Sequence, residues 1–385
     1  MTPPSVIIVG GGIAGAGLAY ALAGHADVTL LERDSYLARR VPKQPVANFV
    51  EPPGTAVVRQ LAAASRPFLE APPPNFTTAS IRIGCGAVTI AGEDRIEALA
   101  LRLAAAREQR SDARAIDLTE AGRRFPILRP GYAAWAMLEP DSAHVNAHAL
   151  HHGYLQGLRG RSGRVVTDAH VVGMRRIVGR WTVETAASGR FYADVVVNAA
   201  GASADKLAAM AGIKPLGLRA KRCLAIMLDI PLDIPPNDWP LLRDISGDLC
   251  VSADANALFI SIPDIRSSAS PNAAPAEEDV VAAIARLQRA TTVTAGQVRH
   301  AWAGLRSFAQ DQNPVVGVEH HADGFVWLAA QGGAGIKASP AISRIAAAAV
   351  LDQCFPADLA ALGLRAAELS PQRLRLQQSA QPKLH

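Results

Sequence analysis

Gly10, Gly12 and Gly15 fall in the pattern G-x-G-x-x-G, and Glu32 lies twenty positions beyond Gly12. Before the glycines stands Ser5-Val6-Ile7-Ile8-Val9, an apolar, β-branched run suited to a strand buried on both faces. After them Ala16 to Ala23 carries helix formers, and Val28 to Leu31 forms a second apolar run that ends at Glu32. This grouping is the chemistry of a dinucleotide site. Gly10 permits the sharp exit from the strand, Gly12 leaves room for a pyrophosphate, and Gly15 lets the helix lie close on the sheet. The helix start offers free N–H groups and partial positive charge to phosphates. Glu32 can accept both ribose hydroxyls and would repel a 2′-phosphate, which argues against NADP. The pattern by itself does not separate FAD from NAD.

Other residues invite chemistry less directly. Asn198-Ala199-Ala200-Gly201-Ala202 closes the buried run Asp194 to Asn198, and Gly332-Gly333-Ala334-Gly335 closes Phe325 to Leu328. Small residues at a strand end mean close approach of another backbone or ligand. Arg222 lies in an apolar strand beside Cys223 and Leu224, where a charge needs a reason; the plainer alternative is a solvated arginine. His144, His148, His151 and His152 share helix faces at the spacing of a metal site, but no H-E-x-x-H arrangement or partner carboxylate accompanies them. The expectation is no metal and a solvated helix. No Ser-His-Asp set or paired carboxylate stands out, as suits a protein whose chemistry is carried by a cofactor.

The elements that must position these groups read as alternating strands and helices. Helical spacing covers Gly54 to Leu69, Ile96 to Arg107, Thr119 to Phe125, Val145 to Leu158, Ser203 to Met210, Glu277 to Arg289 and Ser339 to Leu351. Strand signals cover Ile81 to Ile90, Tyr132 to Leu138, Val165 to Val183, Leu216 to Leu228, Trp239 to Ile262 and Val315 to Gly317. Gly332 to Gly335 would open the last helix. The stretch from Ser370 is polar and reads as loose.

At 385 residues there is room for two domains, and 49% hydrophobic with 19% charged residues is a globular balance. A net charge of +5, spread without a basic run, argues against a nucleic-acid partner. Four scattered cysteines fit a reducing compartment rather than a disulfide frame. With the first strand beginning by Ser5 and no apolar run long enough to span a bilayer, the expectation is a soluble, cytoplasmic protein.

Taken together, the Gly10–Gly15 motif with Glu32, the Asn198–Ala202 run and Gly332-Gly333-Ala334-Gly335-Ile336 resemble the D-amino acid oxidase-like FAD enzymes, the group of glycine oxidase and sarcosine oxidase. Lys214 to Leu218, Lys221-Arg222, Trp302 to Phe308 and Ala329 to Gly333 look closest to the bacterial D-arginine dehydrogenases. The resemblance covers nearly the whole chain. It implies an α/β fold: a Rossmann-type FAD-binding domain with an inserted antiparallel-sheet α+β substrate domain. The cofactor domain would comprise residues 1–78, 143–216 and 303–370, the substrate domain 79–142 and 217–302, and the tail 371–385.

The resemblance also implies roles. Non-covalent FAD would be held by Gly10, Gly12, Ile13, Ala14 and Gly15, by Glu32 and Arg33, and by Val171, Ala200 and Gly201. On the flavin side it would meet Gly332, Gly333, Ala334, Gly335, Ile336, Lys337 and Arg306. A helix opening there would stabilise negative charge gathering on the flavin pyrimidine on reduction. Arg222 and Arg306 would grip a substrate carboxylate, and Lys337 would be either a third cation at the site or a solvated lysine. Asn48, Cys250 and Gly333 would line the pocket. The small-polar stretch that the family has after its acidic residue reads Lys43-Gln44-Pro45-Val46-Ala47-Asn48 here. The aromatic covers of a D-arginine site fall at Pro53 and Cys250, and its guanidinium-reading acid falls near Ala87. The resemblance therefore implies D-amino acid dehydrogenase- or oxidase-like oxidation of the C–N bond of an amino acid or related amine carboxylate, not specific for D-arginine, by hydride transfer to flavin, giving an imine that hydrolyses to an oxo acid. The alternatives are a secondary amine or pathway intermediate as substrate, a flavoprotein without amine oxidation, and an NAD-linked Rossmann dehydrogenase.

Overall fold

The computed structural model describes residues 2–37, 47–49, 54–108, 112–229, 239–254, 257–267, 275–294 and 296–380. The chain begins β1 (Ser5–Val9), α1 (Ile13–Leu22), β2 (Asp27–Leu31), β3 (Ala87–Ala91), α2 (Ile96–Glu108) and β4 (Trp135–Glu139). It continues α3 (Ala147–Arg159), β5 (Val195–Asn198), β6 (Arg219–Asp229), β7 (Leu241–Asp244), β8 (Cys250–Asp254) and β9 (Ala257–Ser267). It closes α4 (Glu277–Ala290), β10 (Val298–Phe308), β11 (Phe325–Ala329), α5 (Ser339–Val350) and α6 (Gln372–Ala380).

Two sheets carry the architecture. In the first, β1 sits between β5 and β2, parallel to both, and β11 continues the parallel run beside β5. Arg164–Val166 and an antiparallel strand, Val315–Val318, form its edges. Its strands come from residues 5–31, 164–198 and 315–329. The central strands bury both faces, so they contain Val, Ile and Leu without alternation. Helices α1, α3 and α5 cover one face, and small residues let them approach closely: a Cβ on Gly17 of α1 would stand 2.4 Å from Ser343 Oγ of α5.

The second sheet has eight strands in the order β10-β6-β9-β8-β7-β3-β4-(Arg114–Ile116), antiparallel except where β7 meets β3. Leu224, Ile226 and Leu228 of β6 and Leu258, Ile260 and Ile262 of β9 face α4, whose Ala283, Leu287 and Ala290 complete a core. The alternate residues, Lys221, Cys223, Ala225 and Met227, point to the opposite face. The fold class is thus α/β with a Rossmann-like parallel sheet and a separate, mainly antiparallel sheet.

Three local readings change. The boundary placed at 302/303 falls inside β10, which runs unbroken from Val298 to Phe308. β10 itself alternates too weakly in polarity to be read as a strand. The stretch from Ser370 is not loose: α6 spans Gln372–Ala380, with Leu374 buried, Arg373 bonded to Asp311 and Arg375 to Glu319.

Candidate active site

Gly10 leaves β1 with φ +116°, and a Cβ there would lie 2.4 Å from the Ala199 carbonyl oxygen. That backbone is closed to an L side chain. Gly15 packs back on the turn, its Cβ position 1.9 Å from the Gly10 carbonyl. Gly12 differs: it caps α1 with no side-chain cap bond, and among the described residues a Cβ would meet nothing within 4 Å. Ile13 and Ala14 thus open a helix whose amides face open space, the arrangement a pyrophosphate requires. Glu32 stands at the rim, where its carboxylate accepts from the Gly11 N–H at 2.8 Å and the Asp34 N–H at 3.0 Å. Arg33 follows it, half-buried.

His151 supports this turn from beneath. It is 2% exposed on α3, and its Nε2 lies 2.8 Å from the Gly11 carbonyl oxygen. Burial, with His148 and His152 nearby, pushes its pKa down, so the neutral ring donates from Nε2. The four histidines therefore divide, and the solvated helix does not hold: His144 is buried in the strand Ala143–Val145, before α3 begins. His151 faces inward, while the rings of His148 and His152 lie parallel, 6.5 Å apart. Among the described residues no three metal-ligating groups cluster.

At the end of β5, Asn198 donates to the Ala204 carbonyl and accepts from the Ala200 N–H. Gly201, at φ +58°, has open space around its Cβ position. Val171 is buried at the start of Val171–Ile177, on the far side of Glu32, whose carbonyl accepts from the Ala169 N–H.

The second glycine run forms a tight turn, but α5 begins only at Ser339. The glycines lie a full turn before that helix, which carries Pro340 in its first turn. Gly332, at φ +53°, donates to the Ser307 carbonyl, and its Cβ position is 2.7 Å from the Phe308 ring. A Cβ on Gly333 would lie 3.4 Å from Arg306 Nη1. Ala334 is buried and packs on the core, with Ile336 partly buried against it, and a Cβ on Gly335 would stand 2.9 Å from Gln331 Oε1. Gln331 Nε2 is buried with no partner among the described residues, a donor that a bound group can satisfy. Lys337 is 9% exposed, which removes the solvated reading.

The sheet face opposite α4 supplies the cations. Lys221 and Arg306 stand side by side in the β6–β10 register. Lys221 Nζ lies 5.1 Å from the Phe308 ring centroid, and Arg306 is half-buried with no ion pair to any described residue. Arg222 does not join them. One residue along the strand it points to the α4 face, where Asp279 pairs with it; the side chains are 12% and 5% exposed. The charge in the apolar strand has its reason in that ion pair, so the carboxylate Arg222 grips belongs to the protein. Sequence reasoning passed over Lys221, although strand alternation from Arg306 could have found it.

Cys250 shares the face of Lys221, half-buried between Arg243 and Ser261 in the register and packed on Ala87 and Leu241. Asn48 lies opposite His144 in the short strand Ala47–Phe49, but its side chain is outside the described residues, as are Lys43 to Val46 and Pro53.

Solved structures share this fold. Glycine oxidase from Geobacillus kaustophilus superposes with a TM-score of 0.79 at 20% identity, over 92% of this chain and 97% of that one. L-proline dehydrogenase from P. horikoshii gives 0.80 at 15% identity, over 98% and 99%. Iminodiacetate oxidase from Chelativorans sp. BNC1 gives 0.75 at 19% identity, over 95% and 98%. No described helix is long and apolar enough to cross a membrane. The open space at Gly12 and Gly201, the anchored Glu32 and the orphaned Gln331 donor fit FAD. The model of the DAO family, FAD dependent oxidoreductase, matches residues 5–349, and the chain belongs to that family of FAD-dependent oxidoreductases.

Proposed function

We propose that this enzyme oxidises the C–N bond of an amino acid or related amine carboxylate. The observation that carries the reading is Arg306: a half-buried guanidinium, unpaired among the described residues, against Gly333 and beside Lys221. A guanidinium so placed can hold a carboxylate through two parallel hydrogen bonds, which fixes the neighbouring carbon. Lys221 adds a second positive charge to the same end, where the expectation had Arg222. We take residues 1–78, 143–216 and 309–370 as the cofactor unit and 79–142 with 217–308 as the substrate unit.

FAD, when bound, supplies a two-electron acceptor. The chain's own residues would hold it at the Gly10–Gly15 turn, at Glu32 and at the Gly332–Gly335 turn, and Gln331 Nε2 would gain an acceptor. They would also select the neutral amine, the form able to give up a hydride. Removing a proton from an amine about two to three pH units above its pKa costs nothing, but holding it neutral that far below costs roughly 3–4 kcal/mol. Arg306, Lys221 and buried Lys337 favour the neutral form by repelling the ammonium.

Anaerobic addition of pooled D-amino acids, then of pooled N-methyl amino acids, tests this through bleaching of the flavin band. Replacing Arg306 by Met should raise the KM for the responding carboxylate roughly a hundredfold, the effect of losing a charge-assisted hydrogen-bond pair. A KM unchanged in Arg306→Met would reject the assignment. A flavin band that persists with every amine would leave an FAD protein of other chemistry.

A further inference from the structure

On the sheet face that carries Lys221 and Arg306, β7 lies four strands beyond β10, the strand of Arg306, roughly 19 Å away at about 4.8 Å per strand. Arg243 projects there from β7, opposite Cys250 of β8 and opposite Thr89 of β3. Its Nε and Nη2 donate to Thr89 Oγ1 at 3.2 and 2.6 Å, and Nη2 donates to Glu139 Oε2 at 2.6 Å. Glu139, 1% exposed, is shared with Arg102 of α2, whose Nη2 reaches both carboxylate oxygens at 3.0 and 3.1 Å. Two guanidiniums thus divide one buried carboxylate.

Arg243 Nη1 makes no hydrogen bond to any described residue, although 13% of the side chain is accessible. Burial first, and Arg102 second, draw the Arg243 pKa down to about 10. Both press the site toward accepting an anion. The wall around it is small and apolar: Leu241 stands opposite Ala87, and Cys250 packs on both.

We infer that Arg243, braced by Thr89 and Glu139, is a second anion grip, and that the substrate carries a second acidic group on its side chain or nitrogen substituent. The first carboxylate binds at Arg306, the second donates nothing and accepts from Arg243 Nη1, and the chain between them runs over the half-buried Cys250. A glycine-sized substrate cannot span the two. The inference rests on the reading of Arg306 only for the first carboxylate.

Inert acids test it without any amine chemistry. The holoprotein is titrated with α,ω-dicarboxylates from succinate to suberate and with monocarboxylates of matched length, and the shift of the flavin spectrum reports each Kd. One dicarboxylate should bind at least tenfold tighter than its monocarboxylate, the size of one charge-assisted hydrogen bond. Arg243→Gln should abolish that ratio and leave the monocarboxylate Kd unchanged. If that variant is poorly folded, Arg243→Met, which likewise leaves Glu139 paired with Arg102, should give the same loss. Equal Kd values within every pair, or a preference that survives both variants, overturns the inference. A preference that depends on Arg243 in a protein whose flavin no amine bleaches would uphold the grip while rejecting amine oxidation.

Discussion

Arg222 and Lys221 are neighbours in sequence with opposite fates. Alternation along β6 sends one to Asp279 and the other to the face shared with Arg306. The two roles separate by experiment. Arg222→Met removes the ion pair to the nearly buried Asp279 and should cost about 3–5 kcal/mol of stability, read by chemical denaturation. Adding Asp279→Leu should recover most of that loss, since a matched apolar pair is tolerated where a lone charge is not. The KM for the carboxylate substrate should stay at the native value in the double variant. A KM that rises as steeply as in Arg306→Met would return Arg222 to the substrate site.

At the scale of elements, α6 was hidden in the sequence because few of its residues are apolar and its ties are ionic. Arg373 spans Asp311 at 2.6 and 3.1 Å, and Arg375 reaches Glu319 at 2.8 Å, where Trp327 Nε1 also donates at 3.0 Å. Burial pushes the Glu319 carboxyl up, but Arg375 and Trp327 outweigh it and hold the pKa below the usual glutamate range. A carboxylate with a depressed folded pKa contributes stability that is full above its unfolded pKa and is lost as pH falls through the folded one. Docking of α6 should therefore hold from neutral pH down to about 4.3 and weaken below it. Hydrogen exchange of Gln372 to Leu376, corrected for the intrinsic rate, measures this. In Arg375→Met the carboxyl loses its cation and its pKa rises, so protection should fall at higher pH than in the native chain. Protection that is flat across the acid range would show that α6 is held by Leu374 alone.

For the whole molecule, the readable part was the cofactor sheet. Val6 to Val9, Val28 to Leu31, Val195 to Val197 and Phe325 to Leu328 are apolar runs because both faces are covered, and each ends where small residues or an acid must meet a ligand. The substrate sheet was readable only in outline. A shift of one residue exchanges its two faces, and no pattern in Lys221-Arg222-Cys223 declares which side α4 covers. Likewise the bond from His151 to Gly11 spans 140 residues, and Arg243 meets Glu139 across 104, distances over which local spacing carries no information. The glycine turn then allows folding and cofactor binding to be pulled apart. Gly12→Ala places a methyl in open space at an ordinary φ of −71°, so the apoprotein should fold as before. That methyl occupies the approach of the pyrophosphate, and the purified protein should lose its flavin absorbance by at least tenfold in FAD affinity, about 1.4 kcal/mol. Gly15→Ala drives its methyl against the Gly10 carbonyl and should lower the melting temperature of the apoprotein as well. If Gly12→Ala keeps its flavin, or if both variants unfold alike, the open space at Gly12 is not where the pyrophosphate passes.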